Sequence, residues 1–173
     1  MNIRPFRPDD APAVRELFIR INRLLAPASM KEAVEGYIAR SLTEEIDRIV
    51  DYYSERNGGF WVSEDAGRIV GMFGLEACGD GAMELRRMYV DPDMRRRGIA
   101  RRMLVFAEQE CRRRNRFRVE LSTSEIQEEA LALYRNAGYE LVREEVAEAA
   151  SNKTVSGGII SPGRFDQMIC LIR

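Results

Sequence analysis

The run Arg95-Arg96-Arg97-Gly98-Ile99-Ala100 concentrates chemistry-bearing residues in this 173-residue chain. Three guanidiniums stand where a helix is about to begin, which is the wrong end for cations. A helix N-terminus carries about half a positive charge, and each cation beside it costs roughly 0.3–1 kcal/mol. The placement makes sense where an anion occupies the same spot, held by the free N–H groups of the first turn. Gly98 would let the backbone approach a pyrophosphate without an intervening Cβ, and Ala100 would keep the next contact point small. The spacing R-x-x-G-x-A is neither a P-loop, which needs G-K-[ST], nor a dinucleotide G-x-G-x-x-G. The expected ligand carries phosphate.

Composition narrows the remaining chemistry. The formal net charge is −1, so no global field draws the chain to nucleic acid or to a membrane. Its basic residues are nevertheless clustered: Arg86 to Arg116 holds eleven arginines. Lys31 and Lys153 are the only lysines. Coding by a GC-rich genome accounts for that bias, so position, and not residue type, has to nominate a site. Histidine is absent, which removes His metal ligands, His general bases and Ser-His-Asp chemistry together; no metal site is expected. Cys78, Cys111 and Cys170 are odd in number and form no C-x-x-C pair. They read as free thiols, buried more than reactive, in a reducing compartment. The opening MNIRPFRPDDAPAV has no apolar leader, and no segment reaches membrane-spanning length. A cytoplasmic protein is expected.

The elements that must position the arginine turn follow from periodicity. Residues 2–7 form a short first strand. A helix follows to about Leu25, capped by Asp9 or Asp10, with Val14, Leu17, Phe18 and Ile21 on one face. A second helical region covers 29–55, with Gly36 and Ser41 as candidate interruptions. Strands at 60–65 and 68–77 flank the turn Asp65-Ala66-Gly67, and Gly79-Asp80-Gly81 leads into a third at 82–90. Helix 98–114, strand 117–123, helix 125–136 and a strand from 139 follow, Gly138 serving as a C-cap. The stretch 146–163 reads as a long loop and 165–172 as a closing strand. The length fits one domain, 1–173, with a mixed α/β sheet.

The strand at 82–90 contains a break in parity. Met83 and Leu85 point one way, yet Met88 and Val90, apolar again, fall on the opposite parity. One residue has been inserted into the two-residue period, the mark of a β-bulge. A bulge splays a strand from its neighbour and frees backbone groups for an extended ligand.

With these elements in place, VDPDMRRRGIARRML resembles the acyl-CoA-binding motif of the GNAT acyltransferase superfamily, whose core pattern is [QR]-x-x-G-x-[GA]. ALALYRNAGYE (130–140) resembles the same family's A-x-x-L-Y-x-x-x-G-[FY]. The likeness covers residues 60–144. It implies a single-domain GNAT-like fold: a mixed, mostly antiparallel sheet of about seven strands, about four helices and a bulged central strand. It also implies acetyl-CoA as co-substrate, with no metal and no covalent enzyme intermediate. The backbone of Arg96, Arg97, Gly98, Ile99 and Ala100 would hold the pyrophosphate, with the Arg95, Arg96, Arg97 and Arg101 side chains adding charge-assisted bonds. Met88, Tyr89 and Val90 would pair with the pantetheine arm, an N–H of Met88 or Val90 polarising the thioester carbonyl.

Tyr134 falls where the family places the acid that protonates the departing thiolate; the residues alone equally allow a packing tyrosine. Glu84 falls where the histone-acetylating branch carries its general base; the alternative is an ion pair with Arg86 or Arg87. Gln127 stands where many relatives carry an asparagine that touches the cofactor.

The resemblance implies an N-acetyltransferase acting on a primary amine of a small molecule or peptide. The alternative is an acyl-CoA-binding module without turnover, a sensor or regulatory relative. The acceptor pocket is expected between 24–55 and 146–163. Glu32, Glu35, Glu44, Glu45 and Asp47 there could favour a cationic amine, although their helical spacing describes a solvated face. The closing strand is a candidate edge for a homodimer.

Overall fold

The computed structural model describes residues 1–79, 81–124, 127–146 and 167–172. Its scaffold is a seven-stranded sheet in the order β1-β2-β3-β4-β5-β7-β6. The strands are β1 (Asn2–Pro5), β2 (Gly59–Asp65), β3 (Arg68–Cys78), β4 (Ala82–Val90), β5 (Arg118–Ser124), β6 (Glu140–Val146) and β7 (Gln167–Ile172). Neighbours pair antiparallel throughout except β4 and β5, which run parallel. A parallel pair needs a crossover, and α4 (Ile99–Arg113) supplies it. This is the expected mixed, mostly antiparallel α/β fold.

Alternation sorts the strand residues onto two cores. On one face Trp61, Phe73, Leu75, Met83 and Leu85 pack against Ile99, Met103, Leu104 and Ala107 of α4 and against Leu131 and Tyr134 of α5 (Glu128–Asn136). On the other, Phe60, Val62 and Met72 meet α1 (Ala11–Leu25), α2 (Lys31–Glu44) and α3 (Ile49–Glu55) through Phe18, Ile21, Ile38, Ile49 and Tyr53. Each such side chain contributes about 1.5–3 kcal/mol of burial.

Two local expectations are corrected. Asp10 occupies the cap position of α1 without a side-chain capping bond. Its carboxylate accepts from Arg4 at 2.7 and 2.9 Å and from the Arg7 N–H at 2.8 Å. The 29–55 region is two helices, and neither Gly36 nor Ser41 interrupts it. The break comes at Glu45, whose backbone leaves helical geometry (φ −135°, ψ −59°) while its side chain turns inward. Of the expected loop 146–163, Val146 ends β6 and the rest lies outside the described residues.

Candidate active site

The parity break is a bulge in β4. Met72 pairs with Tyr89 and Gly74 with Arg86, so one residue of β3, Phe73, opposes two of β4, Arg87 and Met88. Arg87, inside the insertion, has φ 52°. Met83, Leu85, Met88 and Val90 consequently all pack on the α4–α5 face. The ladder to β5 runs only from Ala82–Arg118 to Leu85–Leu121 among the described residues. Beyond Leu85 the two parallel strands diverge. The Asp91 N–H donates to the Val70 carbonyl at 2.8 Å, so by alternation the N–H of Val90 faces away from β3, toward that split.

A non-glycine residue at positive φ persists only where its surroundings over-determine it. Here the surroundings are a buried charge cluster. Glu45 is 2% exposed and accepts from Arg87 Nε at 3.0 Å, Arg87 Nη2 at 2.7 Å and Arg86 Nη2 at 3.2 Å. Its second oxygen accepts from the Tyr53 hydroxyl at 2.6 Å. Arg87 also donates to the Tyr37 hydroxyl and, at 3.4 Å, to Ser41 Oγ. Burial alone would raise the Glu45 carboxyl, but the two guanidiniums outweigh it and hold the group below the usual glutamate range. Gly74 completes the arrangement: a Cβ there would lie 2.2 Å from the Tyr53 hydroxyl oxygen.

The arginine turn is tied down from beneath. Asp91, 1% exposed, accepts from the Asp93 N–H at 3.0 Å and pairs with Arg20 at 2.5 Å and with Arg68. Above it Arg96 (φ 60°) and Gly98 (φ 75°) both adopt left-handed geometry. The first intrahelical bond of α4 runs from the Arg102 N–H to the Gly98 carbonyl at 3.1 Å, leaving the preceding N–H groups directed out of the helix end. A Cβ on Gly98 would meet nothing within 4 Å, so the space over these donors is open. Arg95 pairs with Glu129 at 3.6 Å. Arg96, Arg97 and Arg101 are exposed and have no carboxylate partner among the described residues. Donors, open space and uncommitted guanidiniums together fit a pyrophosphate.

Tyr134 lies on α5 with its ring in the α4-side core, 5.8 Å from that of Tyr139. Burial pushes its phenol well above the ordinary value, so it stays protonated. Gln127 precedes the first turn of α5, its amide oxygen accepting from Thr123 Oγ1 at 3.3 Å. Glu84 faces the other side of the sheet. The structure therefore separates Glu84 and Tyr134 across the sheet, on either side of the β4–β5 split.

Glu84 lines a cavity of about 420 Å³ between the sheet and the α2–α3 segment, with Glu45, Glu76, Arg48, Arg56, Arg86 and Tyr52. The alternative pairing of Glu84 is realised with Arg86, at 3.7 Å; Arg87 turns to Glu45 instead. Glu76 is the direct cross-strand partner of Glu84 and is 3.4 Å from Arg86. Sequence reasoning passed over Glu76, Arg48 and Arg56. The available signal for Glu76 was a carboxylate directly after the apolar run IVGMFGL. The solvated-face reading holds for Glu35, paired with Arg23, and Asp47, paired with Arg15. It fails for Glu45, which is buried because the bulge needs its charge. Burial also raises the thiols of Cys78 and Cys111, to about 12 and about 11; the side chain of Cys170 lies outside the described residues.

A family model described as an acetyltransferase (GNAT) domain matches residues 56–141, from the end of α3 to the start of β6. The Escherichia coli protein named "Uncharacterized N-acetyltransferase YjgM" is 28% identical over 80% of this chain and 86% of its own length. Human N-acetyltransferase 8 is 33% identical over 60% of this chain and 48% of its own. The chain thus spans about half the length of that human relative. In three dimensions it resembles the PaiA N-acetyltransferase of Thermoplasma acidophilum, solved in complex with coenzyme A. The TM-score is 0.72 at 15% identity, over 98% of this chain and 96% of that one. With the bulged β4, the open β4–β5 split and the arginine turn at α4, these likenesses settle the family: the chain belongs to the GNAT acyltransferase superfamily.

Proposed function

We propose that residues 1–173 form one acetyltransferase domain, which moves an acetyl group from acetyl-CoA to a primary amine of a small molecule or peptide. The observation that carries this reading is the β4–β5 split, with an anion-binding helix end at its mouth and a protonated Tyr134 and a carboxylate-lined cavity on its two sides. Acetyl-CoA supplies the acetyl thioester. The N–H groups at the start of α4, with Arg95, Arg96, Arg97 and Arg101, hold the pyrophosphate. Met88, Tyr89 and Val90 line the open edge of β4 for the pantetheine arm, and Gln127 closes the site from α5. The Val90 N–H, directed into the split, polarises the thioester carbonyl.

The acceptor enters from the Glu84 side. Its neutral nitrogen attacks the carbonyl carbon, a C–N bond forms and the C–S bond breaks. Glu84, directly or through water, takes the proton that the nitrogen loses. Tyr134 gives its own proton to the departing thiolate and regains one from solvent. A phenol carries its proton at neutral pH until the thiolate forms, which the second role requires. A cytoplasmic, reducing setting agrees with the free thiols of Cys78 and Cys111.

The test combines a panel of amines with acetyl-CoA, read as released thiol, in the parent and in Tyr134→Phe. The Tyr134 hydroxyl makes no hydrogen bond among the described residues, so its removal should change stability by less than about 1 kcal/mol. The expected fall in kcat is roughly 10²–10⁴-fold. Unchanged turnover across pH would remove Tyr134 as the acid. A chain that binds acetyl-CoA but acylates no amine would be a binding module.

A further inference from the structure

The cavity beside Glu84 is built of charges of both signs. Four carboxylates (Glu44, Glu45, Glu76, Glu84) and four guanidiniums (Arg48, Arg56, Arg86, Arg87) line it, with the Tyr52 ring and Ser41. Equal numbers leave no net negative charge for a polycation. A hydrocarbon tail would strip water from these groups and return nothing.

The charges are also unevenly committed. At the floor Glu76 and Glu84 lie directly opposite each other on β3 and β4, a like-charge pairing that is destabilising by itself. Arg86 bridges them, at 3.4 and 3.7 Å, while also reaching Glu45. Glu76 Oε2 is buried without a hydrogen-bond donor among the described residues; Arg56 Nε is 3.9 Å away. Buried polar atoms normally have partners. Glu76 at the floor is short of a donor, which an amine brings.

Toward the opening two guanidiniums stand beside the exposed Glu44. Arg48 and Arg56, 42% and 38% exposed, both reach the carboxylate of Glu55, at 2.6 and 3.3 Å. Arg56 lies over the Tyr52 ring at 3.7 Å and donates to the Tyr52 carbonyl at 2.9 Å, so its guanidinium is held in place with donors to spare. A planar, positioned fork of this kind suits a carboxylate.

We infer that the acceptor is a small zwitterion, an amine with a carboxylate close by as in a free α-amino acid. Its nitrogen docks at Glu76 and Glu84 and its carboxylate at Arg48 and Arg56. This rests on the acetyltransferase reading above and names the substrate class of that site. A cavity of about 420 Å³ is of the size that holds one small molecule.

The experiment compares three forms of each acceptor: the free amino acid, its primary amide, and the amine lacking the carboxyl group. Series built on alanine, leucine, phenylalanine and glutamate are assayed with acetyl-CoA by thiol release. Within a series the free acid should exceed the amide about tenfold or more in kcat/KM, the scale of a charged hydrogen-bonding pair. In Arg56→Met, and separately in Arg48→Met, the ratio of free acid to amide should collapse toward one. Amides or simple amines acylated as well as the free acids would overturn the inference and leave the acetyltransferase reading standing. A ratio that survives both substitutions would also overturn it. If no amine in any series is acylated, both readings fall.

Discussion

Replacing Glu45 by glutamine isolates the charge that holds the bulge. The side chain keeps its size, but Arg87, 4% exposed, loses the carboxylate that meets it at 2.7 and 3.0 Å, and Arg86 loses one of three. Among the described residues Arg87 retains neutral partners, the Tyr37 and Ser41 hydroxyls and the Phe18 and Tyr37 rings, with the new amide oxygen. Removing one partner from a buried pair costs about 3–5 kcal/mol, because the other charge stays buried and uncompensated. For a domain of this size each kcal/mol lowers Tm by roughly 2–4 °C, so the expected fall is about 6–20 °C. Urea unfolding should show a lower midpoint at unchanged slope. The paired variant, Glu45→Leu with Arg87→Met, should be more stable than Glu45→Gln, since an apolar pair of similar volume leaves no orphaned charge. A loss below about 1 kcal/mol, the value of an exposed pair, would refute this account, as would a double variant weaker than the single.

Two further outcomes follow from the geometry. Gly98→Ala places a Cβ on a backbone at φ 75° that meets no neighbour within 4 Å. It should cost about 1–2 kcal/mol of stability and weaken coenzyme A binding measured by calorimetry; unchanged affinity would mean that no phosphate lies over this turn. Stability should also fall in acid. Asp10 is held low by its bonds to Arg4, and Glu45 and Asp91 are held low by their arginine and N–H partners against the opposing effect of burial. Folded values below the unfolded ones make their contribution complete above about pH 5 and lost as pH falls through 4 and below. Urea midpoints measured from pH 6 to pH 3 test this, and a flat profile would contradict it.

Much of β4 and of the turn into α4 was legible in the sequence because it is written locally. A bulge shifts parity within nine residues, and a glycine at a helix start follows from backbone sterics within one turn. The strand and helix order followed from periodicity in the same way. The errors lie where local pattern and long-range charge compete. Glu45 sits at helical spacing among solvated acids, yet it leaves the helix and buries itself, because Arg86 and Arg87, more than forty residues later, demand a carboxylate there.

By itself the sequence determined the family, the glycine turn that opens α4 and the bulge, since each depends on neighbours within a turn or a strand. Tertiary structure alone decided which carboxylate Arg87 takes, that Glu84 and Tyr134 stand on opposite faces of the sheet, and that Glu76, Arg48 and Arg56 share one cavity. Those relations come from the packing of α2 and α3 across β3 and β4, between residues distant in the chain, and no local spacing encodes them.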